Sequence, residues 1–513
     1  MDLRPKIASG SVINLGFALA NGCLFVLNLL VMTRLLDPEQ FGLFSIALAF
    51  VEAIILLSDF GVAEKFVQDI SDEPDRAYRL ALTANLCFSL GMLAVILVLA
   101  PVLAWVYGRP TLWPLLSLCS YSAFTGTLLM PLALYYRRLQ FLRQRLFPTF
   151  GRLVGLGVMA LLAWQGLGVW SLPLGGLASL VATAVPLWLS APIPRGGLCF
   201  DWSASRAYWR FGANLWAARL GAVLTQHGAI LFLSVKLSFV QLGQFKLSET
   251  VASIAFLVQL SLAQTVYPIL CRMQQAPQQR RQVFVLLSKI GQAWAMPVGL
   301  GLVIFSADLV RHVFGSKWSG MELLLVIQGS AVIIGSIGHS WDAFMRSTGN
   351  SRPLLVGSLL LAGTFAAVFV PAVLLWGVPG IAVGIGAVVL GGLALKQHYM
   401  NRLFAPISLV RIVLPELLAG AVSGGAVMVW KLASGSASTS ASMWLAQVAA
   451  FMLGYCGLAA LLDRTLARQA LAFLIGLKRN ADELNEVPVQ AGAPAPVDPA
   501  GRTAHEFGPD CPT

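Results

Sequence analysis

Apolar stretches about twenty residues long recur along the whole of this 513-residue chain. A helix needs about 20 mostly apolar residues to cross the hydrocarbon core of a bilayer. Windows that meet this requirement lie at approximately residues 11–33, 41–63, 80–106, 112–136, 146–166, 169–192, 211–235, 245–270, 283–306, 320–344, 354–376, 378–395, 412–431 and 442–462. The sequence therefore predicts an all-α polytopic membrane protein with about 14 transmembrane helices.

The composition excludes the common soluble classes. Only 11% of the residues are charged and 57% are hydrophobic, whereas soluble domains carry roughly 25% charged residues. The seven cysteines are scattered singly, without a metal-ligand spacing. The nucleotide-binding pattern GxxxxGK[ST] and the zinc-hydrolase pattern HExxH are both absent from the sequence. An ordinary soluble enzyme, a disulfide scaffold and a built-in ATPase are excluded, and we expect no cofactor.

The basic residues predict the orientation in the membrane. The formal net charge is +12, and most of the 35 Lys and Arg residues fall in alternate loops, on the side of the N-terminus. The positive-inside rule places those loops, and both termini, in the cytoplasm. The charge excess is therefore topological and does not indicate nucleic-acid binding. Outside loops of about fifteen residues at most leave no room for a catalytic domain there.

The chain resembles itself at an offset of 200 to 209 residues. Residues 36–44 (LDPEQFGLF) resemble residues 237–245 (LSFVQLGQF), and residues 106–108 (VYG) resemble residues 313–315 (VFG). Each copy would hold six spans, so the two would share one orientation around an axis along the membrane normal, with a central cavity between them. We predict an N-lobe at 1–200, a C-lobe at 201–405, two further helices at 406–465 and an amphipathic or disordered cytoplasmic tail at 466–513.

Two arginines are predicted at membrane depth near the cytoplasmic side, Arg152 and Arg219. Ionisable groups there normally face a cavity or a partner, because exposing them to lipid is costly. A planar guanidinium suits phosphate oxygens, so both are candidates for binding an anionic headgroup. The alternative is that each side chain snorkels to the interface. Gln226 falls two turns beyond Arg219 on the same helix face and would extend a polar lining.

Acidic and amide side chains mark a second group of candidates. Glu52 and Asp59 are seven residues apart and share a helix face, and Asn14, Asn21 and Asn28 form a stripe with the same period. These side chains predict polar lumen walls, with the carboxylates as H⁺ or Na⁺ carriers. The asparagines are equally suited to joining helices by hydrogen bonds. Glu249 is a further coupling candidate, although a local ion pair with Lys246 would also explain it.

Short motifs carry a resemblance to a known family. Residues 33–43 (TRLLDPEQFGL) resemble its xRLLGPEDFGL stretch, and residues 57–61 (LSDFG) resemble its LxDLG segment. Residues 136–141 (YRRLQF) and 314–318 (FGSKW) match its basic turn and its FGxxW turn. On these motifs, residues 8–405 resemble the polysaccharide transporters of the multidrug/oligosaccharidyl-lipid/polysaccharide exporter superfamily, the Wzx-type flippases. Asp37 stands where that family more often has glycine.

The resemblance implies a MATE-like fold in the bacterial inner membrane and a flippase that moves a polyprenyl-diphosphate-linked oligosaccharide to the periplasmic leaflet. It also implies coupling to a cation gradient and a cationic lumen, without fixing Arg152 or Arg219 as ligands. Besides membrane lipids, a polysaccharide polymerase or copolymerase is an expected partner. The alternatives are a drug/cation antiporter of the same superfamily and a membrane-embedded polysaccharide polymerase or ligase.

Overall fold

A computed structural model describes residues 3–58, 62, 66, 74–137, 140–194, 198–199, 227–272, 277–347, 352–403, 408–434 and 440–464. Within these ranges the regular structure is helical. Helices suit this sequence because a helix satisfies its backbone hydrogen bonds internally, as a bilayer requires.

The main helices of the described part follow the predicted windows closely. Their bounds are α1 Leu3–Leu35, α2 Pro38–Ser58, α3 Pro74–Val106, α4 Leu112–Cys119, α5 Phe141–Trp164, α6 Ser171–Ser190, α7 Gly228–Leu233, α8 Phe239–Ala252, α9 Ile254–Arg272, α10 Pro277–Ile304, α11 Glu322–Gly335, α12 Trp341–Ser347, α13 Arg352–Thr364, α14 Val378–Leu403, α15 Leu414–Ala433 and α16 Ala441–Leu462. Short helical turns continue α4 as far as Arg137 and α13 as far as Trp376.

Ten segments of the described chain are long and apolar enough to cross a membrane. Of the predicted windows, the one at 211–235 lies largely outside the described residues, so the total of fourteen stays a prediction. The eighth and tenth windows are each divided between two helices, α8 with α9 and α11 with α12. The all-helical, multi-pass class predicted from the sequence is confirmed.

Lipid-facing positions carry large apolar side chains. Val98 and Leu453 expose 68% and 75% of their surface, which an aqueous protein would seldom tolerate in the middle of long helices. Trp105 lies at the end of α3 and Trp164 at the end of α5, both strongly exposed. Exposed tryptophans at helix ends are typical of the membrane interface.

The two copies of the repeated stretch begin their helices alike. In the second copy the Ser238 hydroxyl accepts from the Gln241 backbone N–H at 3.2 Å, and the Gln241 side chain accepts from the Ser238 N–H at 3.1 Å. This reciprocal pair is a capping box. In the first copy the Gln40 side-chain oxygen accepts from the Asp37 N–H at 3.4 Å. A glutamine at the same place in each copy thus closes the turn that starts α2 and α8.

Helices α2 and α8 cross in close contact. A Cβ atom on Gly42 would lie 1.9 Å from the carbonyl oxygen of Phe239, and one on Gly243 would lie 2.0 Å from the carbonyl oxygen of Pro38. Because 42 and 243, like 38 and 239, are equivalent positions of the repeat, the contact is reciprocal. Glycine is needed at both positions because only its missing side chain lets the two backbones come this close.

The last two helices pack on α10. The Tyr455 hydroxyl of α16 donates to the Ala293 carbonyl at 3.1 Å. Two ion pairs lie along this contact: Lys289, in the middle of α10, pairs with Asp463, and Asp308, just beyond the end of α10, pairs with Lys431. Asp308 and Lys431 are both buried. The helices α15 and α16 are therefore fastened to the C-terminal half of the chain.

Candidate functional site

The described N-terminal half (residues up to 199) and C-terminal half (residues from 227) meet at one end of the helices. The Trp318 indole N–H donates to the Thr33 carbonyl at 2.9 Å. Lys317 donates to the Arg34 carbonyl at 2.9 Å and lies 3.6 Å from Asp37. We call this region, formed by residues 33–42 with 239–243 and 312–318, the joined end.

Further contacts surround the joined end. Arg34 donates to the His312 carbonyl at 3.0 Å. The hydroxyl groups of Tyr107 and Ser234 are 2.5 Å apart. Arg109 lies over the Phe239 ring at 5.0 Å. Two of the motifs identified in the sequence, residues 33–43 and 314–318, therefore contact each other in space. Both motifs serve the contact between the two halves of the chain.

Four ionisable side chains lie between the halves, away from the joined end. One is on α2, two are on α8 and one is at the start of α7. The Nδ1 atom of His227 is 3.5 Å from a carboxylate oxygen of Glu52. Lys246 donates to Glu249 at 2.9 Å, which confirms the predicted local pair. The charges of Lys246 and Glu249 both act on Glu52. These four residues form what we call the charge cluster.

The charge cluster lies deep within the helices. Glu52 follows Gly42 by ten residues, a distance of about 15 Å along α2 at the helical rise per residue. Its side chain is 46% exposed and that of Glu249 is 38% exposed, whereas His227 is 15% exposed. Glu52 also faces residues of the opposite half, which places it toward the space between the halves. Exposed carboxylates at this depth normally face a water-filled cavity.

The chemistry available to the charge cluster is proton or cation exchange. The ammonium group of Lys246 pairs with Glu249 and its charge also acts on Glu52, and His227 supplies a ring nitrogen beside Glu52. Oxygen ligands of this kind suit protons and small hard cations. In the part of the chain that the structure describes, no group of three or more His, Cys, Asp or Glu residues could hold a metal ion.

The predicted asparagine stripe joins two helices. The Asn21 amide donates to the Thr149 hydroxyl at 3.2 Å and to the Phe17 carbonyl at 2.8 Å, so α1 is attached to α5 at this point. This contact agrees with the structural interpretation of the stripe for Asn21. Asn28, two turns further along α1, is half-buried.

Arginine side chains flank this contact on α5. Arg145, Thr149 and Arg152 follow one another at spacings of four and three residues, so they share one helix face. Both arginines are exposed. Arg152 therefore lies beside the junction of α1 and α5, within reach of a ligand that approaches along that junction.

Three of the predicted site residues, Asp59, Arg219 and Gln226, lie outside the described residues, and their roles stay predictions. The structure brings Glu52 and Glu249 together, although they are almost two hundred residues apart in sequence. It places Arg152 and Asn21 in a separate region on α5 and α1. The contact between Glu52 and His227 is not predictable from the sequence, because helical periodicity carries no information on contacts between distant helices.

Comparisons with known proteins define the family. A family model described as "Polysaccharide biosynthesis protein" matches residues 31–322. The succinoglycan biosynthesis transport protein ExoT of Rhizobium meliloti is 26% identical over 301 residues, which cover 56% of this chain and 58% of that protein. The lipopolysaccharide biosynthesis protein WzxC of Escherichia coli is 28% identical over 378 residues, which cover 71% of each chain. The chain thus aligns with less than two thirds of the length of the first relative.

Solved structures share the fold. The lipid II flippase MurJ, in an inward closed conformation, matches with a TM-score of 0.67 at 12% identity, over 88% of this chain and all of that one. An inward-facing multidrug resistance MATE family transporter matches with a TM-score of 0.57 at 15% identity, over 77% and 98% of the two chains. At these identities the likeness shows the fold alone.

Proposed function

Because this chain belongs to the polysaccharide biosynthesis protein family, we propose that it is a flippase that carries a lipid-linked oligosaccharide across the membrane. The relatives named for succinoglycan transport and for lipopolysaccharide biosynthesis support a saccharide substrate. A polyprenyl diphosphate is the lipid carrier that we propose, and the transfer runs from the cytoplasmic to the periplasmic leaflet of a bacterial inner membrane. Both termini lie in the cytoplasm in this arrangement, and the protein acts as a transporter and not as an enzyme.

The reciprocal crossing of α2 and α8 is the observation that carries the proposal. It joins the two halves at one end and leaves polar groups in the space beyond it. In our proposal the halves are the lobes 1–200 and 201–405, which rock about this contact in alternating access. We propose that the joined end faces the periplasm and that the lobes part on the cytoplasmic side. Helices 406–465 move with the second lobe, and residues 466–513 form the cytoplasmic tail.

We assign the binding of the lipid headgroup to two arginine side chains. Arg152 and Arg219 bind the diphosphate, because a guanidinium group donates two parallel hydrogen bonds to phosphate oxygens. Asn21, Asn28 and Gln226 line the path of the sugar. The position of Arg152 beside the α1–α5 junction supports this assignment. A polymerase or copolymerase that accepts the delivered repeat unit is the proposed partner.

The charge cluster supplies the coupling. We assign the binding of H⁺ or Na⁺ to Glu52, Asp59 and Glu249. The proximity of Glu52 to His227 and Lys246 of the other half supports this role, because a change in the charge of Glu52 alters the attraction between the two halves. Cation binding would thereby bias the rocking of the lobes.

The sidedness of lipid-linked oligosaccharide tests the proposal. Inner-membrane vesicles of known orientation, from cells that lack the protein, are treated with a membrane-impermeant glycosidase. The proposal requires intact repeat units on the cytoplasmic face and loss of polymer. Normal delivery to the periplasmic face without polymerisation would favour a polymerase or ligase. An unchanged distribution with normal polymer would exclude this substrate and favour drug/cation antiport.

Alanine variants test the binding assignments at matched expression. Arg219→Ala and Arg152→Ala are expected to accumulate cytoplasmic-face repeat units. Arg143→Ala is the matched control, because Arg143 lies on the same helix as Arg152 and contacts the Tyr135 ring at 6.0 Å. Normal export by Arg219→Ala would reject that residue as a ligand, and equal defects in Arg152→Ala and Arg143→Ala would reject a specific role for Arg152.

A further inference from the structure

The tenth apolar window is interrupted in its middle. Helix α11 ends at Gly335 and α12 begins at Trp341, and Gly338 between them has a φ of +66°. The turn is closed by a hydrogen bond of 3.0 Å from the Trp341 N–H to the Gly338 carbonyl. Irregular backbone at membrane depth is tolerated only where protein buries it or where it lines a water-filled cavity.

A cavity with a volume of about 10 Å³ adjoins this break. It lies between α9, α10 and the turn, and its polar lining consists of Gln259, Ser288, Ser336, His339 and Ser340. A cavity needs roughly 10–15 Å³ of such volume to hold one water molecule, so this space suits a guest of the size of water. None of the assigned transport residues lines it.

The unpaired amide of Gln259 indicates that the cavity binds a polar molecule. Its side chain is only 5% exposed, and neither its nitrogen nor its oxygen has a hydrogen-bond partner. A Cβ on Gly291 would lie 2.9 Å from the Gln259 Cγ atom, so the glycine gives this side chain its room. A buried polar group without a partner lowers the stability of the fold. A guest that can both donate to Gln259 and accept from it removes that cost.

The surrounding charges favour a neutral guest. Among the described residues that line the cavity, none is Asp, Glu, Lys or Arg. Outside the lining, Lys396 and Asp342 both act on His339, with opposite signs. The Lys396 stem passes 3.8 Å from the position of a Cβ on Gly338. Because these two charges have opposite signs, they favour neither a cation nor an anion in the cavity.

We propose that this cavity is a water-binding site built into the C-terminal half. The serine hydroxyls are well placed to share the water: those of Ser288 and Ser340 are 3.1 Å apart, and that of Ser336 donates to Gln292 at 2.7 Å. Water held here bridges the Gln259 amide to the Ser288–Ser340 pair and hydrates the backbone of the break. A hydrated break gives this membrane segment a bending point inside the C-terminal half.

Cysteine accessibility tests the proposal in the full-length protein. The seven native cysteines are replaced by alanine, and Ser288→Cys is compared with Ala295→Cys, two turns along the same face of α10. Ala295 is fully buried in an apolar cluster. The probe is hydrogen peroxide, a neutral reagent little larger than water, and mass spectrometry measures the rate of thiol oxidation. A thiol must ionise to react, which requires water, so we expect position 288 to react at least about tenfold faster.

Equal, slow rates at positions 288 and 295 would overturn the proposal. Ser340→Cys repeats the measurement from the other side of the cavity if Ser288→Cys does not fold. Gln259→Leu, added to Ser288→Cys, removes the amide at similar volume and is expected to slow the reaction. An unchanged rate in that double variant would show that Gln259 does not hold the water. None of these readouts depends on transport.

Discussion

Trp318 and Thr33, 285 residues apart, are joined by a hydrogen bond of 2.9 Å from the indole N–H to the backbone carbonyl. The indole is also in edge contact with Phe41, with 6.0 Å between ring centroids. Trp318 is 1% exposed, so water cannot replace the bond when it breaks. The joined end is therefore held by a buried, directional contact in addition to its exposed ion pairs.

Replacing Trp318 with phenylalanine is expected to weaken the joined end. The ring packing is largely kept, but the Thr33 carbonyl loses its donor, at a cost of about 1–3 kcal/mol. Thermal unfolding of the purified protein measures the loss. Trp444→Phe is the control, since the buried N–H of Trp444 has no hydrogen-bond partner. If the two variants lost the same stability, the bond to Thr33 would not be the cause.

Gly42→Ala is expected to block the crossing of α2 and α8. The added Cβ would lie 1.9 Å from the backbone oxygen of Phe239, a position that no rotamer change can relieve. We expect export to fall sharply at normal protein levels, measured as polymer per cell. Gly22→Ala, in α1, is the control because nothing lies within 4 Å of its Cβ position. Equal export by the two variants would contradict the close crossing.

Glu52→Gln is expected to lower transport. It removes the charge that faces His227 and Lys246, and because Glu52 is about half exposed, the lost attraction is about 0.2–1 kcal/mol, or up to about fivefold in rate or affinity. Uptake of lipid-linked oligosaccharide into inverted vesicles, with and without an imposed ion gradient, provides the measurement. Glu39→Gln is the matched control, on the same helix but in an exposed pair with Arg109. A gradient response that survives Glu52→Gln would reject the coupling role.

Lys431→Met is expected to be strongly destabilising. Asp308 and Lys431 are buried, with 2.5 Å between their charged atoms, and removing one partner of a buried ion pair typically costs about 3–5 kcal/mol. Thermal unfolding and the yield of folded protein measure the effect. Adding Asp308→Asn to Lys431→Met is expected to recover part of the loss, because it removes the buried charge that had lost its ion-pair partner. No recovery in the double variant would show that the contribution of Lys431 is packing alone.

The sequence predicts the helices well because membrane spans depend on local composition. The described helices fall where apolar windows were predicted, and the repeated glutamines Gln40 and Gln241 identify two equivalent helix starts. Local pairs such as Lys246 with Glu249 follow from helical spacing.

Contacts between distant helices are not predicted in the same way. Glu52 of α2 and His227, at the start of α7, meet because the two helices pack at a particular angle and register, and neither quantity is encoded in the periodicity of a single helix. The break near Gly338 cannot be predicted from the sequence either, because serine and glycine are also common in continuous membrane helices. Only the orphaned amide of Gln259 in the folded chain reveals the polar cavity.

The reciprocal contact of Gly42 and Gly243 has a genetic consequence. A side chain at either position would clash with backbone atoms of the opposite helix. A substitution in the opposite helix cannot remove those atoms, because every residue type has the same backbone. A substitution at position 42 therefore has no complementary substitution at position 243 that could restore the fit. Suppressors of such a defect must displace a whole helix, so they will map to the packing of α2 or α8 at a distance from the crossing itself.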